Sequence, residues 1–161
     1  MTLFESNTDK PKFTLRSNQI PAVEKGTSFF KSKSIRPSII VAPTAYGKSI
    51  VIASIAKEID GRTIILQPSK ELLEQNYNKL IALGGQACIY SASMNQKNIG
   101  KITYATIGSI KNIGQKFKNL GFTNLIIDEA HLYPRSESSM FGTFMKSAQI
   151  KTVLGLTATP F

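Results

Sequence analysis

Ile39-Ile40-Val41-Ala42-Pro43-Thr44-Ala45-Tyr46-Gly47-Lys48-Ser49 is apolar and β-branched up to Val41, then small and polar, and it ends on Gly-Lys-Ser. A second apolar stretch, Ile50-Val51-Ile52-Ala53-Ser54-Ile55, follows at once. A strand that feeds a tight loop and then a helix gathers backbone N–H groups, an ammonium and a hydroxyl in one place. A triphosphate needs that set: N–H groups curl around the phosphates, the lysine meets the β and γ oxygens, and the hydroxyl ligates magnesium. The helix start beneath the loop adds partial positive charge. The pattern G-x-x-x-x-G-K-[ST] is met except at its first position, occupied by Ala42. Pro43, Thr44, Ala45, Tyr46, Gly47, Lys48, Ser49 and Ile50 are therefore assigned to nucleotide binding. A glycine turn with an incidental lysine is the simpler alternative, and the strand-loop-helix context weighs against it.

Leu125-Ile126-Ile127-Asp128-Glu129-Ala130-His131 is a second apolar run, this one delivering two carboxylates. Adjacent acids at the end of a strand of buried type crowd like charges, which is unfavourable unless a cation relieves it. Asp128, with Ser49, is assigned to Mg²⁺, which binds through few protein groups because it keeps much of its water. Glu129 is assigned to the attacking water, so that Lys48, Asp128 and Glu129 form the expected catalytic set. A lone histidine on a turn is ordinarily structural; beside the acids, His131 is assigned to coupling.

The chain of 161 residues carries 20 Lys+Arg against 10 Asp+Glu, a net charge of +10. That is one domain's worth of sequence. A field of that sign favours polyanions, although surplus lysine also serves solubility alone. No apolar run approaches the ~20 residues that span a bilayer, and the first residues lack the layout of a secretory signal. The single cysteine, Cys88, leaves no disulfide partner within the chain and reads as a core residue. These features point to a cytoplasmic protein with no membrane segment.

Residues 1–12 read as a flexible lead-in, and residues 13–161 as one domain. A helix is expected from Gln19 to about Phe30. Continuous apolar runs at 38–42, 63–67, 102–106, 124–128 and 151–156, with a weaker one at 87–90, suit strands buried on both faces. Helical segments fall between them at 48–59, 70–83, 109–118 and 137–148. This alternation predicts an α/β fold with a mostly parallel central sheet and helices on both sides. Ligands in such sheets bind beyond the carboxyl ends of the strands, where the loop after Ala42, Asp128 and Thr157 all fall. Phe29, Phe30, Phe117, Phe122, Phe141 and Phe144 lie in apolar patterns and are expected in the core.

The segments Ala42–Ser49, Asp128–His131 and Thr157-Ala158-Thr159-Pro160, in that order, resemble motifs I, II and III of the superfamily 2 helicases, DEAH type. Leu15-Arg16-Ser17-Asn18-Gln19 resembles the upstream glutamine motif, Gln67-Pro68-Ser69-Lys70-Glu71-Leu72 motif Ia, and Tyr104-Ala105-Thr106-Ile107-Gly108-Ser109 motif Ib. The likeness spans nearly the whole chain. Within the superfamily it is most similar to RadD-like DNA-repair helicases, with phage branch-migration helicases and restriction translocase subunits as near relatives.

The resemblance implies a P-loop NTPase domain, a RecA-like three-layer sandwich that uses ATP and Mg²⁺ and acts on nucleic acid, DNA being the first candidate and RNA the second, since no motif here encodes contacts to the sugars. It implies that Arg16 and Gln19 belong to the nucleotide site, with the Gln19 amide reading the adenine edge, and Phe13 is a candidate to stack on that base. Pro68, Ser69, Lys70, Thr106, Gly108 and Ser109 would contact a nucleic-acid strand, Ser69 and Ser109 as helix starts that offer free N–H groups. His131, Thr157 and Thr159 would couple the two sites. A second RecA-like domain carrying an arginine finger is expected to be missing, which makes the isolated chain a weak ATPase. Ala45 stands where glycine is usual, and a positive φ there would cost roughly 1–2 kcal/mol. A P-loop kinase or small-molecule ATPase, and an ATP-gated binding module that grips DNA without unwinding it, are the competing readings.

Overall fold

The computed structural model describes residues 14–159; the lead-in, Phe13 and Pro160 lie outside the described residues. The strands β1 (Ser38–Val41), β2 (Arg62–Leu66), β3 (Cys88–Ser91), β4 (Gln96–Lys97), β5 (Ile102–Ala105), β6 (Phe122–Asp128) and β7 (Thr152–Thr157) form one sheet. Their order is β1-β7-β6-β2-β5-β3-β4, and every pair is parallel except β3–β4. The helices are α1 (Ile20–Lys31), α2 (Lys48–Glu58), α3 (Lys70–Ala82), α4 (Ile107–Ile110), α5 (Gly114–Asn119) and α6 (Met140–Ala148).

The apolar runs are continuous because successive side chains point to opposite faces and both faces are covered. On one face Ile65, Ile126, Leu154 and Tyr104 pack against buried residues of α1, α2 and α3, among them Val23, Ile52, Ile55 and Leu80. On the other, Ile64, Leu66, Leu125 and Ile127 meet Ile110, Phe117, Phe144 and Ala148 of α4, α5 and α6. The result is three layers. Helix α3 buries Leu73, Asn76 and Leu80, a stripe at helical spacing, and Ser69 caps it by accepting from the Leu72 N–H at 3.3 Å. Phe30, Phe117, Phe122 and Phe144 are buried; Phe29 and Phe141 pack half-buried against the same clusters.

Three expectations change, and one strand adds to them. The run at 38–42 is not buried on both faces: among the described residues β1 pairs only with β7, and Val41 is 54% exposed. Periodicity registers what each face meets, not whether a further strand lies alongside. The helix expected over 109–118 is two short helices broken at Asn112-Ile113. The helix expected from 137 begins at Met140, because Ser139 caps it by accepting from the Gly142 N–H at 3.0 Å. Strand β4 has no apolar signature at all; it forms where the chain doubles back after β3.

Gly114 explains the break. A Cβ on it would lie 2.7 Å from both the Phe144 carbonyl oxygen and the Ala148 nitrogen, so α5 seats directly on the backbone of α6. Gly114→Ala should therefore push the two helices apart and destabilise the domain by about 1–3 kcal/mol. Urea denaturation checks it, and an unchanged midpoint would mean that α5 can shift at no cost.

Candidate active site

The loop after β1 is anchored before it turns. Ala42 is buried and its N–H donates to the Thr157 carbonyl at 2.8 Å, so the first position of the motif abuts the end of β7. Thr44–Tyr46 make a single tight turn, and Gly47 takes the left-handed conformation, φ 79° and ψ 47°, that starts α2 at Lys48. A Cβ there would sit 2.5 Å from Gln19 Nε2, so conformation and space both require glycine. Ala45 is not among the described non-glycine residues of positive φ. The strain expected at that position is absent.

The segment before α1 grips this loop from outside. Arg16 Nη2 donates to the carbonyls of Ala45 (3.0 Å) and Tyr46 (2.8 Å), and Gln19 Nε2 donates to the Tyr46 carbonyl at 2.6 Å. The Arg16 N–H donates to Gln19 Oε1 at 2.8 Å, and the Tyr46 hydroxyl donates to the Asn18 carbonyl. Gln19 is only 1% exposed. The resemblance assigns its amide to an adenine edge; in the structure the amide nitrogen braces the loop and the amide oxygen accepts from its own segment, because buried polar atoms take whatever partner lies in reach.

Lys48 and Ser49 open α2, and Asp128 ends β6, two strands away, with Glu129 directly after it. The structure brings them together. The Lys48 ammonium forms an ion pair with Glu129 Oε1. Glu129 has φ 52° without being glycine, a strained conformation of the kind found at functional sites. Its other oxygen lies 3.5 Å from His131 Nδ1, which is 2.7 Å from Thr157 Oγ1. Thr157 Oγ1 donates to the Thr159 carbonyl at 3.0 Å and accepts from the Thr159 N–H at 3.1 Å. Which of His131 Nδ1 and Thr157 Oγ1 donates in this hydrogen bond follows the tautomer of the imidazole. The acids and the end of β7 are thus joined through one imidazole.

Asp128 is 4% exposed. Oδ1 accepts from the Glu129 N–H at 3.0 Å, and Oδ2 accepts from Asn76 Nδ2 at 3.3 Å; Asn76 Nδ2 also donates to Gln67 Oε1 at 2.8 Å. Burial pushes its carboxyl above the usual carboxylate range; the Lys48 charge opposes this and the Glu129 charge adds to it. Tyr104 and Tyr133 are raised as well, by burial first and then by the Asp128 charge. Among the described residues, Gln67 Nε2, Tyr104 Oη and Tyr133 Oη are buried with no hydrogen-bond partner.

Sequence reasoning missed Asn76 and Lys79. Lys79 Nζ donates to Ser49 Oγ at 2.8 Å. Asn76 had a signal, being a polar residue inside an apolar helical stripe. Lys79 had none, since an exposed-face lysine looks the same wherever it points.

Of the residues assigned to a strand, Pro68 and Ser69 follow β2 and Thr106 follows β5, its parallel neighbour, so they share the carboxyl edge of the sheet. Lys70 and Gly108 are exposed. Ser69 begins α3 as expected. Ser109 does not begin a helix: it lies inside α4, with its hydroxyl 2.9 Å from Thr106 Oγ1 and accepting from the Ala92 N–H at 3.0 Å. A cavity of about 590 Å³ lies at the opposite, amino ends of β2, β6 and β7, against Phe30, Asp60, Asn124 and Lys151, and no assigned residue lines it.

Residues 12–161 match the family described as "Type III restriction enzyme, res subunit". The chain belongs to that family. It is 34% identical over 142 residues to "Putative ATP-dependent RNA helicase MJ1505" of Methanocaldococcus jannaschii, covering 78% of this chain and 18% of that protein. It is 28% identical over 128 residues to "Putative DNA 3'-5' helicase Rad25" of Halobacterium salinarum, covering 76% of this chain and 20% of that protein. The chain therefore spans about a fifth of these relatives' length. The UvsW helicase of bacteriophage T4 shares the fold, with a TM-score of 0.65 at 20% identity over 91% of this chain and 53% of that one. A family member with these motifs on this sheet is an N-terminal RecA-like domain of the superfamily 2 helicase type. Among the described residues, no helix is long and apolar enough to cross a membrane.

The donor set fits Mg²⁺. One carboxylate and one hydroxyl suit an ion that keeps its waters and takes phosphate oxygens, and a cation, the Lys79 ammonium, already stands against Ser49 Oγ. Among the described residues, no cluster of three or more His, Cys, Asp and Glu offers a fuller cage elsewhere.

A carboxyl raised by folding contributes fully below its unfolded value of about 3.9 and loses that contribution as pH climbs through the folded value. The stability of Asp128→Asn relative to the native chain should therefore grow as the pH rises above about 4. Urea denaturation at each pH reads the gap. A gap flat in pH would show that the carboxylate ionises in the fold as easily as in water.

Proposed function

We propose that this domain binds ATP·Mg²⁺ and hydrolyses it to drive movement on, or remodelling of, nucleic acid, with DNA rather than RNA as the track. The single observation that carries the reading is the convergence of Lys48, Ser49, Asp128 and Glu129 at one helix start, with His131 tying the acids to Thr157. The family and the names of its relatives support a helicase motor acting on nucleic acid; one relative is named a DNA helicase and the other an RNA helicase. When bound, the magnesium ion neutralises charge on the β and γ oxygens.

The chain's own residues supply the rest. The turn from Pro43 to Gly47 and the first N–H groups of α2 (Lys48, Ser49, Ile50) cradle the phosphates. Lys48 leaves Glu129 for the β and γ oxygens, since a triphosphate is the stronger anion. Glu129, freed of its partner, accepts a proton from water aligned with the γ-phosphate, while Ser49 and Asp128 hold the metal. Loss of phosphate changes what Glu129 faces, and His131 passes that change to Thr157 and Thr159 at the end of β7. Gln19 reaches the base only if it gives up the Tyr46 carbonyl, which makes bracing of the loop part of nucleotide recognition. A strand lies across the carboxyl edge near Pro68, Ser69, Lys70 and Thr106, and a second RecA-like domain beyond this chain closes on it.

Lys48→Ala should abolish binding of a fluorescent ATP analogue and leave salt-sensitive affinity for single-stranded DNA within about twofold. An equal fall in DNA affinity would place the lysine in the strand groove instead. Glu129→Gln should keep the nucleotide and lower turnover by about 10²–10⁴, followed as phosphate release with and without DNA or RNA. Retained turnover would remove Glu129 from the role of base, and stimulation by RNA alone would reverse the choice of track.

A further inference from the structure

Lys79 reaches the nucleotide site from a third element. It lies one turn after Asn76 on α3, and the two side chains meet the two halves of the metal-binding pair. Asn76 Nδ2 donates to Asp128 Oδ2 at 3.3 Å, and Lys79 Nζ donates to Ser49 Oγ at 2.8 Å. Neither the phosphate loop nor the acidic motif calls for an ammonium from α3 at this place. Lysine suits a temporary position there, being a compact charge with three donors on a flexible stem. Lys79 is half-buried, and its charge acts favourably on the Asp128 carboxylate.

We infer that the Lys79 ammonium is a displaceable stand-in for the divalent cation, holding Ser49 until the metal enters with the nucleotide. The charges of the free domain balance without a metal. Lys48 faces Glu129, and Lys79 stands beside Ser49 and Asp128, so a buried carboxylate is not left uncompensated. A divalent ion on the Ser49 oxygen and an ammonium hydrogen-bonded to that same oxygen repel each other, so entry of one expels the other. Expulsion also frees α3 from α2 at this point, while Asn76 keeps its hold on Asp128. The helix whose first residues are Ser69 and Lys70 thereby registers whether the metal is present.

This inference rests on the ATP·Mg²⁺ reading above, and its test separates the two. The whole chain, Lys79→Met and Lys79→Arg are titrated with a fluorescent ADP analogue, in EDTA and in saturating Mn²⁺. Free Mn²⁺ is followed by electron paramagnetic resonance over the ADP complexes. Lys79→Met should weaken ADP about tenfold in EDTA, where the ammonium would have served the phosphates, and change it less than about twofold in Mn²⁺. The Mn²⁺ affinity of its ADP complex should rise severalfold, because the competitor is gone. Lys79→Arg should restore binding in EDTA. Equal weakening with and without Mn²⁺ would make Lys79 a phosphate ligand alongside the metal and overturn the inference. A lowered melting temperature with both affinities and the Mn²⁺ titration unchanged would make it a structural tie and overturn it too. No binding by the native chain even with Mn²⁺ would overturn the nucleotide reading, and this one with it.

Discussion

A carboxylate held out of water is the constraint around which this domain is organised. Asp128 ends the strand β6 in the middle of the sheet at 4% exposure, where an ionised acid is unfavourable unless its surroundings compensate. The chain answers with donors from several places: its neighbour's N–H, Asn76 on α3, and the charges of Lys48 and Lys79 from α2 and α3. Each answer also commits an element to a position. Helix α3 must run back across the carboxyl edge, and α2 must begin beside it. The candidate site and the packing that holds it both answer to this buried charge.

The parallel sheet makes this convergence cheap in chain length. Every parallel strand presents its carboxyl end on one edge, so residues far apart in sequence, such as Ala42, Gln67, Thr106, Asp128 and Thr157, arrive at a common line. Cross-connections along that line are then short. The Ala42 N–H reaches Thr157 directly, and His131 reaches it through its ring. An event at the phosphate loop and an event at the end of β7 are separated by one backbone hydrogen bond and one imidazole. The strained backbone at Glu129 belongs to this economy, since it turns the acid toward Lys48 while His131 is turned toward Thr157.

Much of the layout was legible beforehand. Buried parallel strands need apolar residues on both faces, and β2, β5, β6 and β7 announce themselves by that rule. Ser49 and Asp128 could be nominated together without coordinates, because a loop of small residues and a doubled acid have few other uses on an α/β sheet. What failed failed for definable reasons. An edge strand such as β1 carries the same β-branched residues as a central one. The break before Gly114 depends on how closely α6 approaches, a distance that helical periodicity does not encode. Gln19 was readable as a polar group near the loop, but not as one whose donor and acceptor are both taken by the loop and its own segment.

By itself, then, the order of residues determined the class of fold and the mostly parallel sheet, and nominated the acids, lysine and hydroxyl of the candidate site. These follow from local rules: alternation of faces, small residues where a backbone must wrap an anion, acids where a strand ends. Tertiary structure alone decided which unforeseen polar groups from another element complete the site, namely Asn76 and Lys79 of α3, and which ones face each other when no ligand is present. A side chain's partner depends on where a distant helix comes to rest, and that is fixed only when both faces of the sheet are packed.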